Sequence, residues 1–449
     1  MKNLLLLGAG RSASSLIRYL LQHAPTENWQ LTIADTHLDH LTPMLAGHAA
    51  YARAVPFSAA DAPQLEALVE THDVVISMLP ALLHPVVARA CVRHGRPLAT
   101  ASYASPEIRA LDAEARAAGV PLLMECGLDP GLDHMSAMHT LADIRARGGQ
   151  LTSFKSYCGG LVAPDSEGDN PWRYKLTWNP RNVVLAGQST AQFLENGQLR
   201  LVPYHQLFAR TEFLDVPGYG QFEAYPNRDS LSYRAPYGLQ DIPTMLRGTL
   251  RRPGYCAAWQ ALVQLGLPDD SVHLGNVAEL PWSELVSSFL PTGAGPLPAR
   301  VAAYLRLNPA GPEMRLLTWL GIFTNEPVHL PDATPAQLLE HLLTAKWRLQ
   351  PHDHDMIVMQ HQFEFELNGA AYSRTSSLVV LGDDATHTAM AKTVGLPLGM
   401  AVRHLARGEV GQTGVVIPTR PELYEPILTE LEQDYSIQFR EEEEKLIRA

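Results

Sequence analysis

The chain has 449 residues, enough for two or three domains that each bury a core, and 46% of its residues are hydrophobic and 18% charged, as in an ordinary globular protein. A formal net charge of −12 without a basic stripe argues against nucleic-acid binding, and no segment approaches the roughly 20 apolar residues of a membrane span. Four widely spaced cysteines form neither a disulfide framework nor a zinc site, and the apolar run Leu4–Leu7 is too short for a secretory signal, so we expect a cytoplasmic protein.

The first predicted element is a strand over Lys2–Leu7 that leads into a glycine-rich turn, GAGRSA. In this G-x-G-x-x-A pattern Gly8 permits a tight turn, Gly10 lets a pyrophosphate approach the backbone, and Ala13 allows close packing of helix on strand. The helix that follows offers free N–H groups and a partial positive charge to phosphates. The pattern predicts a dinucleotide site, with a plain strand–turn–helix as the alternative.

The second predicted strand, Leu31–Ala34, ends at Asp35, about 25 residues past Gly10 and close to the usual spacing for an acid that binds the ribose. Such a carboxylate accepts hydrogen bonds from the ribose 2′-OH and repels a 2′-phosphate. Arg11 in the turn could still reach a 2′-phosphate. The cofactor is therefore predicted to be NAD or NADP, with NAD slightly favoured.

Strands and helices continue to alternate up to residue 126. Strands are predicted at 51–55, 73–79, 97–102 and 120–126, with helices between them, the last running from Ser105 towards Gly119. This order predicts an α/β fold with a doubly wound parallel sheet, in which ligands lie beyond the carboxyl ends of the strands. The segments at those ends are 79–80, 101–103 and 127–131.

The pattern of predicted elements changes after Gly131. A helix is predicted over Leu132–Arg147, followed by strand-like pieces at 153–160, 174–178 and 221–225. A helical stretch follows over about 255–345, then strands at 356–367 and 375–381 and a helix at 389–406. This order predicts an antiparallel sheet with an inserted helical part, and a last helix that packs back on the first domain.

A polar turn in this second region, YPNRDS, contains Asn227, Arg228 and Asp229. A guanidinium binds carboxylates with two parallel hydrogen bonds, and a neighbouring Asp can fix its orientation. The cluster therefore indicates a carboxylate-binding site, and a surface turn held by its own side chains is the alternative.

A second polar cluster follows the last predicted strand of the first domain. Asp129 and His134 could transfer protons there, whereas helix capping by Asp133 and a packed His134 explain the same residues equally well. The histidine pairs at 37 and 40 and at 352 and 354 lie in short polar loops without a third ligand, so no metal site is predicted.

The segments ECGLDPGLDHMSAMHTL, SYCGGLVAPDSEGDNPWRYKLTW, AYPNRDS, LRGTLRRPGY, DMIVMQHQFEFE and AMAKTVGLPLGMA resemble saccharopine reductases, the glutamate-forming saccharopine dehydrogenases. The matches run in order along essentially the whole chain. The resemblance implies a Rossmann domain over 1–128, a second α/β domain over 129–388 with much of the subunit interface and a helical insertion over about 255–345, and a C-terminal segment, 389–449, that returns to the first domain. It implies NAD(P)-linked interconversion of saccharopine with glutamate and aminoadipate semialdehyde in lysine metabolism, by an enzyme that could form a homodimer.

The same resemblance supplies most of the site assignments. Saccharopine contacts are expected from Ser102, Tyr103, Asn227, Arg228 and Asp229. The residues expected at the cofactor, from the motif and the resemblance together, are Gly8, Gly10, Arg11, Ser12, Ala13, Asp35, Leu79, Pro80, Leu128, Asp129, Gly131 and Trp178.

The sequence departs from the family pattern in the turn GAGRSASS and after the second strand. Members that prefer NADP tend to have a basic residue there, whereas this chain has Asp35-Thr36-His37. The alternatives are a related carboxy-polyamine or opine-type dehydrogenase, and a sensor or scaffold that binds NAD(P) without catalysis.

The chemistry of saccharopine agrees with the residues available. Its three carboxylates need cationic donors, and Arg173, Lys175 and Arg247 are candidates besides Arg228. The catalytic base that accepts the amine proton is predicted to be one of three residues, Tyr103, Asp129 or His134.

Overall fold

A computed structural model describes residues 1–186 and 188–447, and its elements are numbered here in chain order. The strands are β1 (Lys2–Leu7), β2 (Trp29–Asp35), β3 (Ala52–Pro56), β4 (Val74–Ser77), β5 (Leu98–Thr100), β6 (Pro121–Leu123), β7 (Gln150–Val162), β8 (Ala191–Glu195), β9 (Gln198–Val202), β10 (Glu212–Val216), β11 (Gly220–Pro226), β12 (Thr244–Arg251), β13 (Leu274–Gly275), β14 (Asp332–Ala333), β15 (Asp355–Leu367), β16 (Ala370–Leu381), β17 (Gly414–Val416) and β18 (Arg440–Lys445). The α-helices are α1 (Ser14–Glu27), α2 (Thr42–Leu45), α3 (Ala62–Glu70), α4 (His84–His94), α5 (Pro106–Arg109), α6 (Asp112–Ala117), α7 (Leu132–Ala146), α8 (Pro180–Val184), α9 (Tyr255–Leu265), α10 (Trp282–Ser288), α11 (Leu297–Leu305), α12 (Pro312–Leu320), α13 (Pro335–Lys346), α14 (Ala389–Arg407) and α15 (Pro421–Tyr435).

The chain divides into two compact units. The first comprises Met1–Gln150 and Leu378–Arg440, and the second comprises Leu151–Ser377 and Glu441–Ala449. The first boundary lies beyond the predicted 128 because α7 packs against α15 of the same unit. The C-terminal strand β18 instead pairs with β16, so the last residues are not part of the first unit.

The first unit contains a parallel sheet with the strand order β17-β6-β5-β4-β1-β2-β3. All neighbouring strands run parallel, as the predicted doubly wound sheet requires, so the fold class of this unit is confirmed. The interior strand β1 is apolar from Leu4 to Leu7, and these four side chains are fully buried because helices cover both faces of such a sheet.

Two details of the first unit differ from the prediction. The single helix predicted from Ser105 towards Gly119 is divided into α5 and α6. The seventh strand, β17, comes from the C-terminal part of the chain and pairs with β6, which no local pattern in the first domain could indicate.

The second unit contains a mixed sheet with the order β10-β11-β12-β7-β15-β16-β18, and β8 and β9 extend it beside β12. The prediction of an antiparallel sheet is wrong in one respect, because β12 runs parallel to β7. Asn368 and Gly369, both at positive φ, form the turn between β15 and β16. Helices α9 to α13 lie between β12 and β15 in the chain, in the region predicted to be helical.

The predicted strand at 174–178 is also wrong, since only a single bridge from Leu176 to Arg348 forms there. Arg173, the residue directly before this segment, has a positive φ of 49°, which lies outside the extended region that a strand needs. Across residues 1–186 and 188–447 we find no helix with the length and apolar character needed to cross a bilayer.

Candidate functional site

The glycine-rich turn has the geometry expected of a pyrophosphate-binding loop. Gly8 has a φ of +88°, and a Cβ added there would lie 3.0 Å from the carbonyl carbon of Met78. At Gly10 an added Cβ would meet no atom within 4 Å, so the space beside the backbone is open. Arg11–Ala13 forms a single 3-10 turn that leads into α1, with Ala13 buried. The backbone beside Gly10 is therefore accessible to a ligand, as a pyrophosphate-binding turn requires.

Asp35 ends β2 beside this turn, and its carboxylate is held in place by the backbone. Oδ2 accepts a hydrogen bond from the Ala9 amide at 2.6 Å, and Oδ1 accepts one from the His37 amide at 3.0 Å. Partial burial raises the pKa of Asp35, but the hydrogen bonds from His37, Ala9 and Thr36 outweigh it, and the pKa lies below its usual value. The carboxylate of Asp35 is therefore ionised at neutral pH, at the end of β2 beside the glycine turn.

A cavity of ≈ 1030 Å³ opens in front of Gly10, and the residues that line it belong to the first unit. Its polar lining includes Arg11, Arg18, Asp35, His37, His40, His48 and His387. Its size is that of a site for a large ligand, and the cations suit phosphate groups. The residues present therefore fit a dinucleotide.

The loop before α14 contributes to this cavity, a role that no sequence pattern indicated. Thr386 and His387 line the cavity, and the carbonyl of Thr386 accepts a hydrogen bond from Ser14 Oγ at 2.6 Å. This loop lies about 370 residues from the glycine turn along the chain, so only the folded structure brings the two together.

Beyond the ends of β5 and β6, Tyr103 and Asp129 form a hydrogen bond, in which the Tyr103 hydroxyl donates to Asp129 Oδ1 at 2.9 Å. Tyr103 is exposed and Asp129 is half-buried. The loop is tightly closed at Gly131, where φ is +146° and an added Cβ would lie 2.1 Å from the Gly127 carbonyl oxygen. Leu128, predicted to contact the cofactor, is buried, whereas Leu79 is half-buried and Pro80 is exposed at the end of β4.

His134 is fully buried, which is the packed arrangement left open by the sequence. Its Nε2 lies 2.8 Å from Glu125 Oε2, and its Nδ1 lies 3.5 Å from Asp133 Oδ2. Asp133 in turn accepts a hydrogen bond from the Gly131 amide at 2.6 Å. A histidine without exposed surface does not reach a ligand, so the structure does not support direct proton transfer by His134.

Glu125 connects the two loops that hold Tyr103 and Asp129. Besides its contact with His134, Oε1 of Glu125 accepts a hydrogen bond from the Ala104 amide at 3.0 Å. Burial raises the pKa of Glu125, yet the contacts with His134, Ala104 and Arg109 outweigh it and leave the pKa below its usual value. Glu125 has a positive φ of 61°, a conformation that no sequence pattern indicated.

A third set of buried polar contacts lies next to these loops. His84 places Nδ1 2.9 Å from Ser77 Oγ and Nε2 2.7 Å from Ser102 Oγ. Ser102 was expected at the substrate. No sequence pattern indicated a role for Ser77 or His84, because a histidine in the first turn of a helix is compatible with many roles.

In the YPNRDS turn of the second unit, Arg228 is held through its backbone and not through its guanidinium. Arg228 is exposed and has a positive φ of 38°, and its carbonyl accepts a hydrogen bond from the Gln192 amide at 2.8 Å. In the ranges 1–186 and 188–447 its guanidinium makes no ion pair or hydrogen bond. The Asp229 carboxylate accepts a hydrogen bond from the Leu231 amide at 2.8 Å and does not orient Arg228 as predicted. The backbone N–H of Asn227 donates to the Arg247 carbonyl.

The other cations proposed for carboxylate binding already have partners. Arg173 Nε lies 2.6 Å from Glu167 Oε2, and Lys175 Nζ lies 2.7 Å from Asp353 Oδ2. Arg247 is buried with its guanidinium 4.5 Å from the centre of the Tyr233 ring. Trp178, expected near the cofactor, is half-buried in the second unit. Arg228 is therefore the candidate with a charge available to a ligand.

Comparison with protein families matches both parts of the chain. Residues 4–123 match the model of the saccharopine dehydrogenase NADP binding domain, and residues 127–437 match that of the saccharopine dehydrogenase C-terminal domain.

Individual relatives agree with these matches. The chain is 33% identical to saccharopine dehydrogenase [NADP(+), L-glutamate-forming] from Saccharomyces cerevisiae over 98% of this chain and 99% of that protein. It is 34% identical to mitochondrial alpha-aminoadipic semialdehyde synthase from Mus musculus over 96% of this chain and 47% of that one. The solved apo saccharopine dehydrogenase (L-Glu forming) from Saccharomyces cerevisiae superposes with a TM-score of 0.87 and 30% identity, covering 99% of this chain and 100% of that chain.

Proposed function

Because this chain belongs to the saccharopine dehydrogenase family, we propose that it is an NAD(P)-dependent oxidoreductase that interconverts saccharopine with L-glutamate and 2-aminoadipate 6-semialdehyde in lysine metabolism. The observation that carries this proposal is the hydrogen bond of 2.9 Å between Tyr103 and Asp129. This hydrogen bond joins two groups that can exchange a proton, at the carboxyl ends of β5 and β6, the edge at which a doubly wound sheet binds its ligands.

The reaction removes a hydride from the carbon next to the secondary amine of saccharopine and a proton from its nitrogen. Bound NAD(P)⁺ supplies the hydride acceptor. Water then adds to the C=N bond of the oxidised substrate, and the C–N bond breaks to give glutamate and the semialdehyde. The protein has to align the reacting carbon and accept or return protons, and alignment alone is worth roughly 7–11 kcal/mol of a barrier.

Tyr103 and Asp129 are proposed as the catalytic residues that move these protons. Tyr103 is exposed and its hydroxyl already donates to Asp129, so a proton that reaches the phenol oxygen can pass to the carboxylate. His134 is assigned a different role from the one first predicted: through Glu125 it holds the two loops in position.

Arg228 is proposed to bind a carboxylate of saccharopine, with Asn227, Asp229 and Ser102 as further contacts. Within the described part of the chain the Arg228 guanidinium has no partner, and a free guanidinium is the group that a triacid substrate requires. The same function predicts that Gly8, Gly10, Arg11, Ser12, Ala13, Leu79, Pro80, Leu128, Gly131 and Trp178 contact the cofactor.

We infer that NAD is preferred over NADP, and this preference is argued from the residues of this chain alone, since its fungal relatives are named as NADP(+) enzymes. The ionised carboxylate of Asp35 is fixed by two backbone amides and repels a 2′-phosphate. The test compares kcat/KM for NAD and NADP in the wild type, in Asp35→Ser and in Asp39→Asn, an exposed acid of the same loop.

We expect Asp35→Ser to reduce the NAD-to-NADP ratio about tenfold or more, because a charge-assisted hydrogen bond is lost and a repulsion removed. Asp39→Asn should leave the ratio near that of the wild type. A wild-type preference for NADP, or equal effects of the two substitutions, would contradict the assignment.

The proposed reaction is tested by incubating the protein with saccharopine and either nucleotide while the absorbance of the reduced nicotinamide is followed. Turnover of saccharopine but not of opine-type or carboxylated polyamine substrates is the expected result. Turnover of those amines alone would favour the related dehydrogenase, and NAD(H) binding without any turnover would favour a sensor. The homodimer and the cytoplasmic location stay predictions.

A further inference from the structure

A buried chain of hydrogen bonds links the interior of the parallel sheet with Ser102. His84, in the first turn of α4, lies between Ser77 at the end of β4 and Ser102 beyond the end of β5, at 2.9 Å and 2.7 Å. β4 and β5 are neighbours, so the two serines come from adjacent strand ends. Ser77 and His84 are buried, whereas Ser102 is half-buried.

His84 is neutral in this environment. Burial lowers its pKa to about 4, and no carboxylate lies within ion-pair distance of it in the ranges 1–186 and 188–447. A neutral imidazole has one N–H donor and one acceptor nitrogen, so the two serines cannot be treated alike.

Ser77 decides which nitrogen holds the hydrogen. Among the residues that the structure describes, His84 Nδ1 is the only hydrogen-bond partner of the Ser77 hydroxyl. If Nδ1 donated, the Ser77 O–H would be buried without an acceptor, which costs more than an unfilled oxygen lone pair. Ser77 therefore donates to Nδ1, and the ring hydrogen lies on Nε2.

The direction of the second hydrogen bond follows. Nε2–H donates to Ser102 Oγ, so the hydrogen of Ser102 points to an acceptor other than His84. We propose that His84 is a positioning residue that makes Ser102 a hydrogen-bond donor to a carboxylate of the amino-acid substrate. This inference rests on the proposed function, since it requires Ser102 to contact saccharopine.

Two amide substitutions separate the two contacts of His84. The amide of Asn ends near the position of Nδ1, and the longer Gln reaches the position of Nε2. We expect His84→Asn to raise KM for saccharopine about tenfold, as the loss of one oriented hydrogen bond implies. His84→Gln should restore most of the affinity, and both variants should keep KM for NAD near the wild-type value and change kcat less than KM.

His72 supplies the matched control. It is also a buried histidine of the first unit, with Nε2 2.9 Å from Thr32 Oγ1 and Nδ1 2.6 Å from the Leu68 carbonyl, but it precedes β4 at the opposite edge of the sheet. His72→Asn should lower stability without changing KM for saccharopine. Equal KM values in His84→Asn and His84→Gln, or an unchanged KM in both, would overturn the positioning role.

Ser102→Ala distinguishes this inference from the function on which it rests. If Ser102→Ala raises KM for saccharopine while His84→Asn does not, the substrate contact stands and only the positioning role fails. If Ser102→Ala leaves KM for saccharopine unchanged, or raises KM for NAD instead, the proposed contact of Ser102 with the substrate is wrong. The positioning role of His84 then fails with it.

The wild-type protein gives an independent test that needs no variant to fold. ¹⁵N chemical shifts of the histidine rings report which nitrogen is protonated. We expect His84 to show a protonated Nε2 and a hydrogen-free Nδ1, with and without saccharopine. A protonated Nδ1 would reverse both hydrogen bonds and overturn the assignment.

Discussion

At the residue scale, Glu125 is a buried carboxylate whose removal we expect to destabilise the folded protein. It is fully buried, and it joins the loop after β5 to the first turns of α7 through Ala104 and His134. Removing Glu125 would leave its buried polar partners without a hydrogen-bond acceptor, and a buried polar group without a partner destabilises the folded state. Glu125 is therefore a structural group beside the proposed catalytic pair.

We expect Glu125→Ala to lower the free energy of unfolding by about 3–5 kcal/mol, and Glu125→Gln, which keeps one acceptor, by about 1–3 kcal/mol. Urea unfolding at neutral pH measures both. Glu114→Gln, at an exposed acid of α6, should stay within about 0.5 kcal/mol of the wild type. A neutral effect of Glu125→Ala would show that the buried contacts add no stability.

The same residue predicts a dependence on pH. Because the folded protein holds the pKa of Glu125 below its usual value, its contribution to stability is present above that usual value and is lost as the pH falls through the folded pKa. The difference in stability between the wild type and Glu125→Gln should therefore be constant near neutrality and shrink in acid. A difference that grows in acid would contradict the direction of the pKa shift.

At the scale of elements, α14 holds α1 in place by close contact at two glycines. A Cβ added at Gly395 would lie 2.7 Å from the Leu16 amide nitrogen, and one at Gly399 would lie 2.6 Å from Tyr19 Cδ1. Residues four apart share one face of a helix, so both glycines face α1. The N-terminus of α1 follows the glycine turn, and its position therefore depends on a helix from the far end of the chain.

Gly395→Ala should force the two helices apart, because the atom nearest to the new Cβ belongs to backbone that cannot rotate away. We expect a loss of about 1–3 kcal/mol of stability and weaker NAD binding, measured by urea unfolding and by titration with the nucleotide. Gly411→Ala, where an added Cβ meets no atom within 4 Å, is the matched control. Wild-type NAD affinity in a destabilised Gly395→Ala would separate helix packing from the nucleotide site.

Local patterns predicted the elements of this unit better than their partners. The apolar strands and the glycine turn follow from residue spacing, and the family resemblance is confirmed over both halves of the chain. The pairing of β17 with β6 and of β12 with β7 joins segments distant in sequence, so no local pattern specifies it. The buried polar contacts of Ser77, His84 and Glu125 could not be predicted from the sequence either, because they depend on which strand ends become neighbours.

At the scale of the whole molecule, the residues proposed as ligand contacts are distributed over the two units. The turn, Asp35 and the lining of the large cavity belong to the first unit, whereas Arg228 and its turn belong to the second. Each ligand that binds the folded protein stabilises it by mass action, about 2.7 kcal/mol at 100 times its Kd. The contributions of nucleotide and amino acid can therefore be measured separately by thermal unfolding.

Arg228→Ala should leave the rise in Tm caused by NAD(H) unchanged and remove most of the further rise caused by saccharopine, because a charge-assisted contact worth about 1.5–3 kcal/mol is lost only for the triacid. Arg228→Lys, which keeps the charge but not the two parallel hydrogen bonds, should give an intermediate value. Arg315→Ala, at an exposed arginine of α12, should behave as the wild type with both ligands. A reduced effect of NAD(H) in Arg228→Ala would mean that Arg228 serves the nucleotide, and the carboxylate-binding role of the YPNRDS turn would then be wrong.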